Sequence, residues 1–291
     1  MGMIKVDDIS FFYEEGGEPA LDRVSLEVTE GEYLALIGPN GCGKTTLMRH
    51  LNGLVLPSSG AVKIDGMDTA DHRSRKEIRR RVGMVFQNPD HQIISMTVEE
   101  DVGFGPCNLG LSPAEVSGRV REALRATATE PFAKRAPHTL SGGEKRLVAV
   151  AGVLAMKPRY LVLDEPTSSL DPGSRRRVLD LVKSLNRDGL AVIHVTHDVE
   201  EATAADRVAV MSRGRIVLNG RPAEVLSRVE EIRNIGLDVP FATDLAWRLN
   251  RLGNGFRTDI LTLEQALSEI LVRLDAPGRQ KGSDGGRSNI S

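Results

Sequence analysis

Cysteine is scarce in this chain of 291 residues, and neither sign of charge dominates. Its two cysteines, Cys42 and Cys107, are too few for a disulfide framework. The net charge of -2 produces no global basic field, so we expect no nucleic-acid partner. The six histidines are scattered and the cysteines lie far apart, which argues against a metal-chelating protein.

Long apolar runs are also missing. The longest, the ten residues from Leu147 to Met156, is shorter than the roughly 20 residues of a membrane-spanning helix. Residues 1–8 lack the basic-then-apolar pattern of a signal peptide, so we expect no secretory signal. Any membrane role is therefore expected to be peripheral and to depend on partner subunits. The densest basic run, within residues 73–81, is interpreted as a solvated helix face ahead of a strand.

Apolar runs of the buried-strand type alternate with helical patterns from residue 31 to residue 211. This alternation predicts a mostly parallel sheet covered by helices, that is, an α/β fold. The strands predicted for this sheet lie at residues 33–37, 82–86, 160–163 and 191–195. Further strands are predicted to begin at Ile4, Leu21 and Ala61.

Three stretches differ from this alternation. Residues 95–136 are more polar and helical, and we interpret them as a helical insertion. After Arg228 a short linker and further helical patterns predict a C-terminal segment, residues 229–276, which follows a domain of residues 1–228. Residues 277–291 are rich in Gly, Ser and Arg, and are predicted to be disordered.

A glycine-rich loop follows the predicted strand at residues 33–37 and opens a helix. Its sequence fits G-x-x-x-x-G-K-[ST] in the context that this motif requires. Glycines let backbone N–H groups turn toward phosphates, and the helix N-terminus adds a favourable dipole. A lysine at this place neutralises phosphate charge, and the following hydroxyl can ligate Mg²⁺. The predicted ATP-binding residues are Gly38, Pro39, Asn40, Gly41, Cys42, Gly43, Lys44, Thr45 and Thr46.

Two acids end the predicted strand at residues 160–163. Asp164 is expected at the carboxyl end of the strand, where open α/β sheets bind ligands, and there it can hold Mg²⁺ through water. Glu165 is expected to point to the other side of the chain, where it can orient and polarise an attacking water. An exposed acidic strand end would explain these acids alone, but the phosphate loop favours the catalytic interpretation.

Leu140-Ser141-Gly142-Gly143-Glu144 resembles the LSGGQ signature of the ATP-binding-cassette (ABC) family. The resemblance covers about residues 3–225, and the family's other motifs come in the family's order: Tyr13 resembles the adenine-stacking aromatic, Gln87 the Q-loop glutamine, residues 169–171 the D-loop, and His197 the switch histidine. It implies a P-loop NTPase fold of the ABC type, with an antiparallel β subdomain, a helical insertion and a small helical C-terminal domain.

The resemblance also implies a reaction and a division of roles. ABC proteins hydrolyse ATP to ADP and phosphate in a dimer that sandwiches two ATP molecules. Ser141, Gly142 and Gly143 of one subunit would contact the γ-phosphate bound by the phosphate loop of the other. The implied catalytic residues are Glu165, His197 and Gln87, the implied Mg²⁺ ligands are Thr45, Gln87 and Asp164, and Tyr13 would stack on adenine.

Two positions in these motifs lead to separate expectations. Glu144 stands where the family has glutamine, and its negative charge near the nucleotide is expected to weaken ATP-induced closure slightly. Cys42 lies beside a helix N-terminus, so we expect its thiol to have some thiolate character and to be protected by MgATP.

A second resemblance narrows the branch of the family. Residues 87–93, 97–102 and 104–106 resemble the energy-coupling-factor ATPases, which include the cobalt and nickel transport ATPases, and residues 236–240 point the same way. It implies an importer of a metal ion such as cobalt or nickel, or of a vitamin. The implied partners are a second copy or a paralogous ATPase, a transmembrane energy-coupling subunit and a substrate-binding membrane subunit. The chain would then lie peripherally on the cytoplasmic face of the cell membrane.

Alternative interpretations exist at two levels. Singly, His197 is equally well explained as a core histidine, Gln87 as a strand-ending glutamine and the Gly142-Gly143 pair as an ordinary Gly-Gly loop. For Tyr13 the alternative is simple packing. For the whole chain, the alternatives are a soluble ABC ATPase of the repair or translation type and a non-catalytic ATP-binding module. The single cassette without sustained heptads counts against the former, and the presence of both Glu165 and His197 counts against the latter.

Overall fold

An antiparallel sheet forms the N-terminal part of the protein. In the computed structural model, which describes residues 2–14 and 16–275, β1 (Met3–Phe11) pairs with β2 (Leu21–Thr29) on one side and β4 (Ser59–Ile64) on the other. The short β5 (Met67–Asp68) extends the β4 edge. Alternate side chains of these strands are buried in the core, as expected for a sheet with one covered face. The predicted antiparallel subdomain is therefore confirmed.

A second, mostly parallel sheet follows. Its strands are β3 (Tyr33–Ile37), β6 (Val82–Val85), β7 (Tyr160–Asp164), β8 (Ala191–Thr196), β9 (Arg207–Ser212) and β10 (Arg215–Gly220). They lie in the order β10-β9-β3-β8-β7-β6, in which only the pairing of β10 with β9 is antiparallel. All residues of β3, β7 and β8 are buried, which explains why their sequences are mostly apolar. The α/β prediction is confirmed.

α-Helices connect and flank these strands. Those of the described residues are α1 (Lys44–His50), α2 (Arg75–Arg81), α3 (Val98–Asn108), α4 (Pro113–Ala126), α5 (Gly142–Leu154), α6 (Pro172–Arg187), α7 (Val199–Ala202), α8 (Pro222–Leu226), α9 (Val229–Ile235), α10 (Phe241–Leu249) and α11 (Leu263–Asp275). Single 3₁₀ turns lie at Pro89–His91, Glu130–Phe132 and Pro137–Thr139. None of the described helices is long and apolar enough to cross a bilayer.

Most of the basic run at residues 73–81 belongs to α2, directly before β6, as expected, whereas Arg73 lies just before the helix. Its last residue is not simply solvated, however. The Arg81 guanidinium donates to Asp65 at 2.5 Å and to Glu77 at 2.8 Å. Because Asp65 also accepts from the Tyr160 hydroxyl at 2.7 Å, this one carboxylate connects α2, the turn after β4, and the start of β7.

Three of these helices form an apolar cluster of their own, although α5 also packs on the parallel sheet through Val150 and Val153. α3, α4 and α5 share a cluster of buried apolar side chains: Val98, Val102, Val120, Ala123, Leu124, Leu140, Val148, Ala151 and Ala155. The predicted insertion, residues 95–136, supplies only part of that cluster, because α5 completes it. Capping boxes begin α3 at Thr97, α4 at Ser112 and α5 at Ser141, so each helix start is fixed by its own sequence.

The C-terminal segment is helical, as predicted, but its first part packs on the main core. Val229, Ile232 and Leu237 are buried together with residues of β3, β8 and β9. The backbone N–H of Phe241 donates to the Glu200 carboxylate at 2.7 Å, which fixes the start of α10 against α7. α10 and α11 then share a small cluster of their own. The predicted disordered tail, residues 277–291, lies outside the described residues.

Candidate functional site

The glycine-rich loop lies between β3 and α1, at the carboxyl edge of the parallel sheet. Gly43, which caps α1, has φ of 108°, and a Cβ there would lie 2.6 Å from the Ala20 carbonyl oxygen. Glycine is therefore required both by the backbone and by the space. The Lys44 ammonium donates to the carbonyls of Gly38 at 2.7 Å and Pro39 at 3.1 Å, so it lies across the mouth of the loop.

The loop forms one wall of a cavity of about 550 Å³. Segments far apart in the chain supply the other walls, because the carboxyl ends of parallel strands meet at one edge. The lining residues are Tyr13, Ala20, Asn40, Gly41, Gly43, Lys44, Thr45, Thr46, Gln87, Glu165 and His197. The structure thus brings most of the sequence-predicted site residues together in a single cavity.

Asp164 lies just below this cavity, at the end of β7. The Thr45 hydroxyl donates to its carboxylate, with the nearer oxygen at 3.0 Å. Burial and the adjacent Glu165 carboxylate together hold the pKa of Asp164 above its ordinary value, although Thr45 and Lys44 oppose the shift. A desolvated carboxylate beside a hydroxyl is a place where a cation would relieve unfavourable electrostatics. The oxygen donors of Asp164, Thr45 and Gln87 are of the kind that Mg²⁺ prefers.

Glu165 and His197 form a pair at the other side of the cavity. The His197 Nδ1 lies 2.6 Å from a Glu165 carboxylate oxygen. The Glu165 side chain is 10% exposed, whereas that of His197 is 56% exposed, so the pair is buried at the acid and open at the imidazole. Glu165 has φ of 49°, a left-handed conformation that costs energy for a residue with a side chain.

Gln87 reaches the cavity from the loop after β6, two residues beyond the end of that strand. The sequence placed the strand end at Phe86, one residue too late, because Phe86 is apolar. The backbone carbonyls of Phe86 and Gln87 instead accept hydrogen bonds from the buried guanidinium of Arg146, on α5. Lys145 adds an ion pair to Asp90 at 2.6 Å. The first turns of α5 therefore hold the loop that presents Gln87 in place.

Tyr13 lies at the rim, with 62% of its surface exposed. Its hydroxyl is within 3.0 Å of the Thr46 hydroxyl, and its ring meets Phe11 edge-on with 5.0 Å between centroids. These two contacts hold the ring beside the end of the phosphate loop.

Cys42 does not match its expected reactivity. Only 6% of the residue is exposed, and its sulfur lies inside the loop. Burial raises the pKa of the Cys42 thiol, and the nearby Lys44 charge offsets this only in part. This direction contradicts the expected thiolate character, because desolvation outweighs the Lys44 charge and the backbone hydrogen bonds that favour the thiolate. Gly38 and Pro39, like Cys42, belong to the loop but do not line the cavity.

The signature residues lie elsewhere. Ser141, Gly142 and Gly143 begin α5 and are not among the residues that line the cavity. The Glu144 carboxylate accepts hydrogen bonds from the Ser141 backbone N–H at 2.7 Å and from the Ser141 hydroxyl at 2.9 Å. These bonds hold the pKa of Glu144 below its ordinary value. Glu144 is therefore the ionised partner of Ser141 in the capping box of α5. The Ser141 hydroxyl that it binds is the group that the resemblance assigned to a γ-phosphate.

Comparison with known proteins agrees with this geometry. The model of the ABC transporter family matches residues 21–168. The cobalt import ATP-binding protein CbiO of Syntrophus aciditrophicus is 55% identical over 268 residues, which cover 92% of this chain and 96% of that protein. The chain belongs to the ABC transporter family. Its ABC cassette is an ATPase, as the motifs predicted.

Two further ABC proteins are similar over most of the chain. The energy-coupling factor transporter ATP-binding protein EcfA1 of Clostridium perfringens is 46% identical over 92% of this chain and 97% of that protein. The solved structure of cbiO1 from Clostridium perfringens, described as part of the ABC transporter complex cbiONQ, matches with a TM-score of 0.72 and 36% identity. That match covers 86% of this chain and 96% of the other.

Two sets of contacts around this ABC site were missed by sequence reasoning. One is the set of contacts that Arg146 and Lys145 make with the Q-loop, which no pattern in the sequence predicts. The other surrounds His194, which is fully buried in β8. A histidine within the otherwise apolar strand 191–195 was an available signal, because a buried imidazole requires partners.

Proposed function

We propose that this chain is the ATP-hydrolysing subunit of an energy-coupling-factor type importer, that it works as a dimer, and that it lies on the cytoplasmic face of the cell membrane. The observation that supports hydrolysis most directly is the Glu165–His197 pair on the wall of the phosphate-loop cavity. The proposed transport role rests on the resemblance to CbiO and EcfA1 over nearly their whole length.

The proposed roles follow from chemistry and position. Lys44 and the loop N–H groups bind the phosphates, and Tyr13 stacks on the adenine. Glu165 orients the attacking water and accepts its proton, while His197 holds the Glu165 carboxylate and contacts the γ-phosphate.

Mg²⁺ is proposed as the metal cofactor. Thr45, Asp164 and Gln87 would hold it, and when bound it would neutralise the charge that develops on the transferred phosphoryl group. The raised pKa of Asp164 supports this assignment, since burial leaves that carboxylate in need of a positive partner.

Dimer formation is supported by the position of the signature. Ser141, Gly142 and Gly143 do not line the cavity of their own chain, so they can meet a γ-phosphate only in a second subunit.

The C-terminal segment offers a further contact surface. Leu263, Leu267 and Leu271 follow each other at four-residue spacing along α11, and each is at least half exposed. We propose residues 229–276 as an assembly segment that folds onto the ATPase domain of residues 1–228.

A membrane partner is supported by an apolar surface beside the Q-loop. Ile94 is 64% exposed, Met96 82% and Phe104 49%, and all three follow Gln87 closely in the chain. Several large exposed apolar side chains within one short segment of the chain are consistent with an interaction site. We propose that a transmembrane energy-coupling subunit docks here, alongside a substrate-binding membrane subunit.

The proposed cargo is a metal ion such as cobalt or nickel, with a vitamin as the alternative. The test is uptake of radiolabelled Co²⁺ into proteoliposomes that contain the full complex and MgATP on the side of this chain. We expect uptake that disappears when Lys44→Ala replaces the wild type, because the ammonium offsets phosphate charge. ATP hydrolysis without uptake of Co²⁺, Ni²⁺ or any vitamin tested would count against the importer.

A further inference from the structure

Behind the Glu165–His197 pair lies a buried cluster of polar side chains that the proposed mechanism does not use. At its centre is Glu201, on α7, whose side chain is 1% exposed beside the fully buried His194. The His194 Nε2 lies 3.2 Å from one Glu201 oxygen, and its Nδ1 lies 2.9 Å from the Tyr33 hydroxyl. Burial and the Glu201 charge raise the pKa of Tyr33, so its hydroxyl stays protonated and can donate to Nδ1.

The other oxygen of Glu201 connects two turns of the chain. It accepts a hydrogen bond from the Thr167 hydroxyl at 2.5 Å, and it forms an ion pair with Arg175, whose Nε lies 3.1 Å away. The same Arg175 guanidinium also donates to the Asp198 carboxylate. Burial alone would raise the pKa of Glu201. Contacts with His194, Thr167 and Thr196 outweigh burial and hold this pKa well below its ordinary value, so the carboxylate is ionised.

Together with two short stretches of backbone, these contacts complete a ring that includes the Glu165–His197 pair. Thr167 is two residues after Glu165, and Asp198 directly follows His197. One side of the ring is therefore the 2.6 Å contact between Glu165 and His197. The other side runs from Thr167 through Glu201 and Arg175 to Asp198.

Local sequence alone does not hold these turns in place. Glu165 has φ of 49° and Ser169 has φ of 62°, so the turn that contains Thr167 is bounded by two unfavourable backbone conformations. Such conformations persist only where tertiary contacts enforce them. Replacing a buried ionic network by apolar side chains of similar volume is often neutral or even stabilising, so the network is weak evidence for a purely stabilising role.

We propose that Glu201 is a positioning residue that, through Thr167 and Arg175, fixes the separation and orientation of Glu165 and His197 for attack by water. This inference rests on the proposed catalytic role of Glu165. Displacing a catalytic group by about 1 Å costs on the order of 100-fold in rate, so loosening one side of the ring has a measurable effect.

The test compares variants matched in size. Thr167→Val removes the hydroxyl at nearly constant volume, and Thr167→Ser restores it. Arg175→Met removes the guanidinium, and Arg176→Met is its control, because Arg176 is an exposed neighbour on α6. Steady-state ATPase assays give kcat and KM, a fluorescent ATP analogue gives Kd, and thermal melting confirms that each variant is folded.

We expect Thr167→Val and Arg175→Met to lower kcat by roughly 10-fold or more while KM and Kd change less than about 2-fold. Thr167→Ser and Arg176→Met should keep most of the wild-type kcat. In the Glu165→Gln background, Thr167→Val should lower the residual rate no further, because the group that it positions is already gone.

A folded Thr167→Val protein with wild-type kcat would overturn the inference, as would a loss that persists in full in the Glu165→Gln background. Glu201→Gln should lower kcat in the same way. If that variant does not fold, the comparison of Thr167→Val with Thr167→Ser still tests the inference. Failure of the proposed function has a different signature, because Glu165→Gln itself would then turn over ATP like the wild type.

Discussion

The imidazole of His197 lies 2.6 Å from the carboxylate of Glu165, although 32 residues separate them in the chain. β7 and β8 are parallel neighbours, so the residues that follow them emerge at the same edge of the sheet. This contact joins an almost buried carboxylate to an exposed imidazole at the wall of the phosphate-loop cavity.

Glu165→Gln should keep ATP binding but nearly abolish turnover, and it should trap an ATP-bound dimer. The amide preserves the shape of the side chain, but it cannot accept a proton from water. Hydrolysis assays and size-exclusion chromatography with ATP test this expectation. Turnover within a few-fold of the wild type would remove Glu165 from the catalytic role.

Cys107 should react with a maleimide at least about 10-fold faster than Cys42. Cys107 is exposed, whereas Cys42 is buried and its thiol pKa is raised by desolvation. Mass spectrometry of a time course locates each adduct. The Cys107→Ser variant isolates Cys42, whose slow labelling should become slower still with MgATP. Equal rates at the two thiols would show that the phosphate loop is open in solution.

Glu144→Gln should strengthen ATP-driven dimerisation, by roughly 2- to 5-fold in the ATP concentration required, because a negative charge beside the γ-phosphate is removed. The amide can still cap Ser141, so the loss of stability should stay below about 1 kcal/mol. Light scattering in the Glu165→Gln background measures the dimer.

A matched control exists for this substitution in the chain. Glu115 caps Ser112 at the start of α4 with the same pattern of hydrogen bonds. Glu115→Gln should leave the ATP dependence unchanged. An equal response to both substitutions would mean that net charge, rather than the position of Glu144, governs closure.

Arg146→Met should lower the free energy of unfolding by about 2–4 kcal/mol, because the carbonyls of Phe86 and Gln87 lose a buried donor. It should also raise the Mg²⁺ concentration needed for activity, since the loop that presents Gln87 is no longer held. Urea denaturation and a Mg²⁺ titration of the ATPase rate measure the two effects. Arg121→Met, on the exposed face of α4, should change stability by less than about 0.5 kcal/mol.

Asp65→Asn should destabilise the fold by about 2–3 kcal/mol at neutral pH. Asparagine tolerates the left-handed backbone at this position, where φ is 49°, so the substitution tests the charge. Although burial raises it, the Tyr160 hydroxyl and the Arg81 guanidinium hold the pKa of Asp65 below its ordinary value of 3.8.

The sign of the pH dependence follows from that shift. A depressed folded-state pKa stabilises the protein at pH values above 3.8, and this contribution is lost as the pH falls through the folded-state pKa. The stability difference between wild type and Asp65→Asn should therefore shrink in acid. Urea denaturation at pH 7 and near pH 3 measures it, and a difference that is constant over this range would contradict the assignment.

Much of the fold was predictable from local patterns. Apolar runs such as 160–163 and 191–195 predicted buried parallel strands, since only such strands have two covered faces. The phosphate loop was predictable because its glycines and its place between strand and helix are local requirements. The predicted strand ended at Phe86, one residue beyond the observed end of β6. The apolar pattern shows which residues avoid water, but it does not show where the last backbone hydrogen bond of the strand forms.

The sequence by itself determined the sheet, the loop that binds phosphate and the order of the motifs, because short-range patterns encode them. It did not determine that Cys42 is buried or that Glu201 joins Thr167 to Arg175. Those facts depend on side chains that are distant in the chain and on how much water folding removes around each of them. Tertiary structure alone decided them, since desolvation and long-range hydrogen bonds exist only once the strands and helices have packed.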